Sequence, residues 1–81
     1  MTPENLKEFL EYIILKIINK EDLEKLDLIK LENKLIFDVK INKENLGRVI
    51  GRNGATATAI RNVLQAAAIK LDIKTQINFL S

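Results

Sequence analysis

Leu35, Phe37, Val39 and Ile41 fall at strict period two. Only a pleated strand lines such residues along one face. The next residues change period at once. Asn42 is a good helix N-cap, and Leu46, Val49 and Ile50 recur at helical spacing. A strand with one apolar face therefore runs directly into a short helix, and the rest of the chain must cover that face.

The flanking segments supply the cover. Leu6, Phe9, Leu10, Ile13, Ile14 and Ile17 form one helical stripe over about residues 3–18, with Thr2 as cap and Pro3 in the first turn. Leu26-Asp27-Leu28-Ile29-Lys30-Leu31 reads as a strand whose alternation slips at Leu28-Ile29, which predicts a bulge or an edge position. Glu32-Asn33-Lys34 then closes a hairpin onto residues 35–41. A longer helix is expected from about Ala55 to Leu71, with Ile60, Val63, Leu64, Ala67 and Leu71 as its core stripe. Ile73, Thr75, Ile77 and Phe79 alternate as a last strand. The expected order is α-β-β-α-α-β, an α+β fold with a three-stranded sheet and helices packed on one face.

The 81 residues are 47% hydrophobic and 30% charged, enough for one small core and too few for a second domain. Cysteine and histidine are absent, which removes thiolate and imidazole chemistry and most zinc or haem sites. No cofactor or metal is expected. The carboxylates Glu4, Glu8, Glu11, Glu21, Asp22 and Glu24 lie on polar faces or in a turn, without the clustering of a catalytic pair, so an enzyme is not expected. The N-terminus lacks the pattern of a signal peptide and no apolar run approaches a membrane span, which fits a cytoplasmic protein with no membrane partner. The net charge of +2 divides unevenly. Residues 1–41 carry seven lysines against nine carboxylates. Residues 42–81 carry Lys43, Arg48, Arg52, Arg61, Lys70 and Lys74 against Glu44 and Asp72. All three arginines thus surround one short segment.

That segment is Gly51-Arg52-Asn53-Gly54, between the two later helices. Two glycines three apart allow backbone conformations that side chains forbid and let another chain come close. The helix that follows offers unpaired N–H groups and the positive end of its dipole to an anion. Arg52 adds charge at the tip, and Asn53 tolerates a left-handed backbone. Such a loop can grip a sugar–phosphate backbone without reading bases. As a bare motif it is equally a plain joint between helices. Gly47 costs its helix up to about 1 kcal/mol relative to alanine, which suggests close approach by another backbone or a ligand. No nucleotide-binding glycine motif is present, and no small-molecule substrate is expected.

The run Leu46-Gly47-Arg48-Val49-Ile50-Gly51-Arg52-Asn53-Gly54 resembles the signature of KH domains, and the element order resembles their type II arrangement. Thr56, Ile60-Arg61 and Ala66-Ala67-Ala68 further resemble the small bacterial single-KH proteins of the KhpA (YlqC) group. The resemblance covers the whole chain, residues 1–81. It implies a protein that clamps about four nucleotides of single-stranded RNA through the Gly-x-x-Gly loop. Its expected role is that of a post-transcriptional regulator or RNA chaperone acting as a dimer.

Carried over by position, the RNA-contacting set is Gly51, Arg52, Asn53 and Gly54, with Val49, Ile50 and Val39 as an apolar groove floor and Arg48 and Arg61 at the rim. The plain alternatives are that Ile50 and Val39 are only core and that Arg61 is only a solvated helix residue. Relatives commonly carry a basic residue after the loop and a polar or basic one three further on. Here these are Ala55 and Thr58, so weak, sequence-tolerant binding is expected. The resemblance also implies KH–KH pairing, with a second copy or with a larger Jag-type KH-containing protein, and a main role as an adaptor is the alternative function. The face of the long helix bearing Ala59, Asn62, Val63, Ala66 and Ile69 is the candidate for that contact.

Overall fold

The computed structural model describes residues 1–81 and has the expected order. Helix α1 spans Pro3–Ile14, strands β1 and β2 span Leu23–Lys30 and Lys34–Ile41, helices α2 and α3 span Lys43–Ile50 and Ala55–Ala68, and β3 spans Lys74–Leu80. The sheet order is β1-β2-β3, with β2 antiparallel to β1 and parallel to β3. The period-two face of β2 is sealed: Leu35, Phe37, Val39 and Ile41 are all buried, against Leu6, Leu10 and Ile14 of α1 and Ile60, Leu64 and Ala68 of α3 in one core cluster. Full burial of each such side chain is worth about 1.5–3 kcal/mol.

Thr2 caps α1 through a reciprocal pair. Its Oγ1 accepts from the Asn5 N–H at 3.1 Å, and its own N–H donates to Asn5 Oδ1. The helix ends at Ile14, four residues before the expected end near 18. Its last turn tightens into three-residue hydrogen bonds, Lys16 N to Ile13 O at 3.1 Å and Ile17 N to Ile14 O at 2.9 Å. That tightening turns Ile18 into the core, where it is buried, before the chain reverses. The α3 stripe also differs from expectation. Ala57, Ile60, Leu64 and Ala68 are buried, while Val63 is 47% exposed. The helix is rotated so that its small residues let it approach the sheet, which leaves Val63 beside α1.

β1 is an edge strand, one of the two outcomes that the slip at Leu28-Ile29 predicts, and its bulge lies elsewhere. Register shifts between Leu23 and Lys25, opposite Ile41 and Lys40, so Glu24 is the extra residue. The bulge lets Leu23 and Leu26 share the core side despite odd spacing. At Leu28-Ile29 the ladder is regular: Leu28 pairs with buried Phe37, and Ile29 pairs with Ile36 on the open face of the sheet. On that face Asp38 Oδ1 accepts from Asn78 Nδ2 at 2.8 Å, which ties β2 to β3. Glu4 at the start of α1 pairs with Lys30 at the end of β1, and this hydrogen-bonded ammonium holds the Glu4 carboxyl below its ordinary range.

Asn42 fixes the turn from β2 into α2. Its Oδ1 accepts from the Asn45 N–H at 3.1 Å and from Asn45 Nδ2 at 2.9 Å. Its Nδ2 donates to Asp22 Oδ1 at 2.9 Å, and its N–H donates to Asp22 O at 3.0 Å. One side chain therefore caps α2 and ties it to the turn before β1. Asn42→Ala should cost about 1–2 kcal/mol, read as a lowered urea midpoint at unchanged m-value.

Candidate nucleic-acid interface

Helix α2 stops at Gly51, whose φ of 78° and ψ of 175° no side chain adopts at ease. Space is as restrictive as conformation. A Cβ on Gly51 would lie 2.8 Å from the backbone nitrogen of Thr56 and collide with the Thr56 side chain. Gly51 is thus pressed against the first turn of α3, which folds α2 back on α3. Asn53 (φ 56°) and Gly54 (φ 77°) are both left-handed, so three of the four loop residues have positive φ. Gly54 also stands at the N-cap of α3 without a side-chain oxygen, so no side chain caps the first-turn N–H groups. Arg52 and Asn53 are exposed at the tip and hydrogen-bond to no other side chain.

The electrostatics of this end follow from where the ion pairs lie. The three in the protein are Lys25–Asp27, Lys30–Glu4 and Lys40–Glu24, all within the first half of the chain. No arginine is paired with a carboxylate. Arg48 and Arg52 are exposed with their charges unneutralised. Arg61 is also exposed but its fork is held: Nε and Nη2 donate to Ile77 O at 3.4 and 3.3 Å, and the guanidinium lies 5.2 Å from the centre of the Phe79 ring. A guanidinium so placed is preorganised rather than freely solvated.

The proposed groove floor divides. Val39 and Val49 have no exposed surface and belong to the core, so neither side chain presents itself to a ligand. Their spacing puts them on the inner face of β2 and of α2, and both belong to the one core cluster. Ile50 is half-buried beside the loop. Gly47 is exposed and nothing in the chain lies within 4 Å of where its Cβ would be, so no other backbone approaches it. Ala59, Asn62, Val63, Ala66 and Ile69 are all exposed along α3, with Ile69 at 72%. Val63 and Ala59 also border an apolar groove of about 240 Å³ with Phe9, Ile13, Thr56 and Ile60.

Sequence reasoning missed Gln65. Its Nε2 donates to Ile73 O at 3.1 Å, and its Oε1 accepts from Thr75 N at 2.8 Å and Thr75 Oγ1 at 3.0 Å. With Arg61 it covers the outer edge of β3, satisfying backbone groups that another strand would otherwise seek. A lone amide between Leu64 and Ala66 was the available signal.

The family model described as the KhpA/KhpB KH domain matches residues 7–79 of this sequence. The chain belongs to that family. Similar proteins include one named RNA-binding protein KhpA from Borreliella burgdorferi, 36% identical over 73 residues (90% of this chain and 89% of the relative). Another of the same name, from Clostridium perfringens, is 33% identical over 75 residues, 93% of this chain and all of the relative. A third, from Streptomyces coelicolor, is 36% identical over 61 residues, 75% of this chain and 77% of the relative. The fold of this KH domain is the type II order, with the Gly-x-x-Gly loop between α2 and α3.

The two helix-proximal glycines of the KH domain should respond in opposite directions. Gly51→Ala should destabilise by about 1–3 kcal/mol, from strained φ and the Thr56 collision. Gly47→Ala, in an open helical site, should stabilise by about 0.5–1 kcal/mol. Thermal unfolding of both variants measures the contrast.

Proposed function

We propose that this KH domain, the whole of residues 1–81, binds single-stranded RNA by clamping about four nucleotides of its backbone at Gly51-Arg52-Asn53-Gly54. One observation carries the reading: unneutralised arginines gather around a loop whose helix has no capping oxygen of its own. Anions are attracted to such a terminus, and positive-φ residues let phosphate oxygens reach the N–H groups directly. The names of the relatives support RNA as the partner. Ala55 and Thr58 add no charge, so the grip is weak and tolerant of sequence. The open space before Gly47 is room that a strand leaving the loop can use, which accounts for glycine in an otherwise helical site. Regulation of transcripts, or chaperoning of RNA structure, suits a weak clamp of this kind.

Pairing is a second reading, favoured by the apolar groove between α1 and α3 and by Val63 exposed on its rim. A second copy of this chain docked there would give two clamps in one particle and raise apparent affinity without new RNA contacts; a Jag-type KH protein would offer a similar face. Light scattering at micromolar concentration should report a dimer that Val63→Asp returns to monomer; a monomer throughout would remove this reading.

The clamp is tested by Arg52→Asp with Asn53→Asp. Both positions are exposed, and aspartate tolerates the left-handed backbone of residue 53, so the fold should persist by circular dichroism. Affinity for an oligouridylate should fall about tenfold or more, near 1.4 kcal/mol. Undiminished binding with the fold intact would overturn the clamp. Gly47→Ala should weaken the same binding while raising stability.

A further inference from the structure

Asn53 stands before a glycine, and no other asparagine of the chain does; the rest are followed by Lys, Leu, Val or Phe. A side chain on the following residue crowds the approach to that residue's nitrogen, and glycine has none. Asn53 is exposed at the loop tip, so water reaches its side-chain amide. Arg52, the residue before it, carries a guanidinium paired with no carboxylate. A cation so near favours loss of a proton from a neighbouring group and steadies the negative charge that results.

The resting loop keeps the two reactive groups apart. With Asn53 at φ 56° and ψ 26°, the Gly54 nitrogen lies roughly opposite Cβ across the Cα–C bond, out of reach of the side-chain carbonyl carbon. The Gly54 N–H is also engaged, donating to Gly51 O at 3.2 Å. Attack requires ψ of residue 53 to turn until the nitrogen comes round to the Cβ side, and that turn breaks the hydrogen bond. Little else opposes it. Nothing lies within 4 Å of where a Gly54 Cβ would be, so the peptide has room to rotate. Exposed loops with few packed contacts open locally far more often than the domain unfolds.

We infer that Asn53 is a site of self-modification, at which the side-chain amide closes on the Gly54 nitrogen and leaves a carboxylate in the empty clamp. In the opened loop the Gly54 nitrogen loses its proton to solvent base and forms a bond to Asn53 Cγ. The bond from Cγ to the amide nitrogen breaks, and that nitrogen leaves with a proton as ammonia. The cyclic imide then takes up water. Opening at Cγ gives aspartate at position 53, and opening at the backbone carbonyl gives its β-linked isomer. Either product places a negative charge where the clamp receives phosphate. Aspartate tolerates the left-handed backbone, so the aspartate form keeps the loop and changes only its charge. The loss of binding rests on the clamp reading above, whereas the covalent step rests on the loop alone. Bound RNA fixes the resting loop and keeps the Gly54 nitrogen away from Cγ, so occupied copies are preserved and idle ones are silenced.

The full chain is incubated in mildly alkaline buffer in three ways: free, with saturating oligouridylate, and in urea. Tandem mass spectrometry of the tryptic peptide Asn53–Arg61 follows the mass gained when NH is exchanged for O. The gain should grow in the free folded chain, more quickly in urea and at higher pH, and the oligouridylate should largely suppress it. Asn53→Gln should abolish it. Modified chains should be missing from the pool that an immobilised oligouridylate retains. No gain in the folded chain where the urea sample shows one would overturn the inference. Equal rates with and without oligouridylate, or retention of modified chains as fully as unmodified ones, would do the same. The Arg52→Asp/Asn53→Asp variant tells such a failure from a failure of the clamp. If that variant loses binding, the clamp stands and only the self-modification falls; if it binds undiminished, both fall.

Discussion

Burying the apolar face of β2 requires a cover that neither neighbouring strand can supply, and the placement of both later helices follows from that requirement. β2 is the central strand, so both its edges are consumed by hydrogen bonding to β1 and β3. Its remaining freedom is the choice of face. Leu35, Phe37, Val39 and Ile41 commit one face to α1 and α3, which brings the start of α3 to the end of the sheet where α2 emerges. The loop between the helices can then be only a few residues long. Gly51 meets this constraint by packing without a side chain against Thr56.

That tight joint also shapes the chemistry. A longer or side-chain-capped connection would satisfy the first N–H groups of α3 internally. Here three positive-φ residues and a glycine N-cap leave the terminus without a side-chain cap, the Ala55 N–H being held by the backbone carbonyl of Arg52. The same economy appears in the charges. Three lysines of the first half, Lys25, Lys30 and Lys40, are spent on ion pairs, whereas the arginines of the second half stand free or, at Arg61, are anchored on a backbone carbonyl. The polar latch of Gln65 and Arg61 on β3 has a double consequence. It blunts an edge that could pair with another chain, and it fastens α3 to β3 along one seam.

Much of this was legible in the sequence because the governing interactions are local in period. The strict alternation of residues 35–41, the α1 stripe, the Asn42 cap and the Gly51–Gly54 break all appear as expected. The misreadings share one cause, which is that periodicity identifies an apolar face but not its neighbour. Val63 fits the α3 stripe by spacing yet lies beside α1, half-exposed, because the small residues Ala57 and Ala68 set the rotation of the helix. The slip at Leu28-Ile29, by contrast, marks the edge position, one of its two readings, and the open face of the sheet accepts Ile29 opposite Ile36. Val49, two residues before the loop, and Val39, in the strand before its helix, are both fully buried in the core.

The sequence by itself determined the elements, their order and the loop, because hydrophobic period, capping residues and glycine placement act within a few residues of one another. The tertiary structure alone decided which apolar residues remain exposed, that Glu24 carries the bulge, and that Arg61 and Gln65 fasten α3 to β3. Those outcomes depend on contacts between residues eight or more positions apart, whose geometry exists only after the helices have docked on β2.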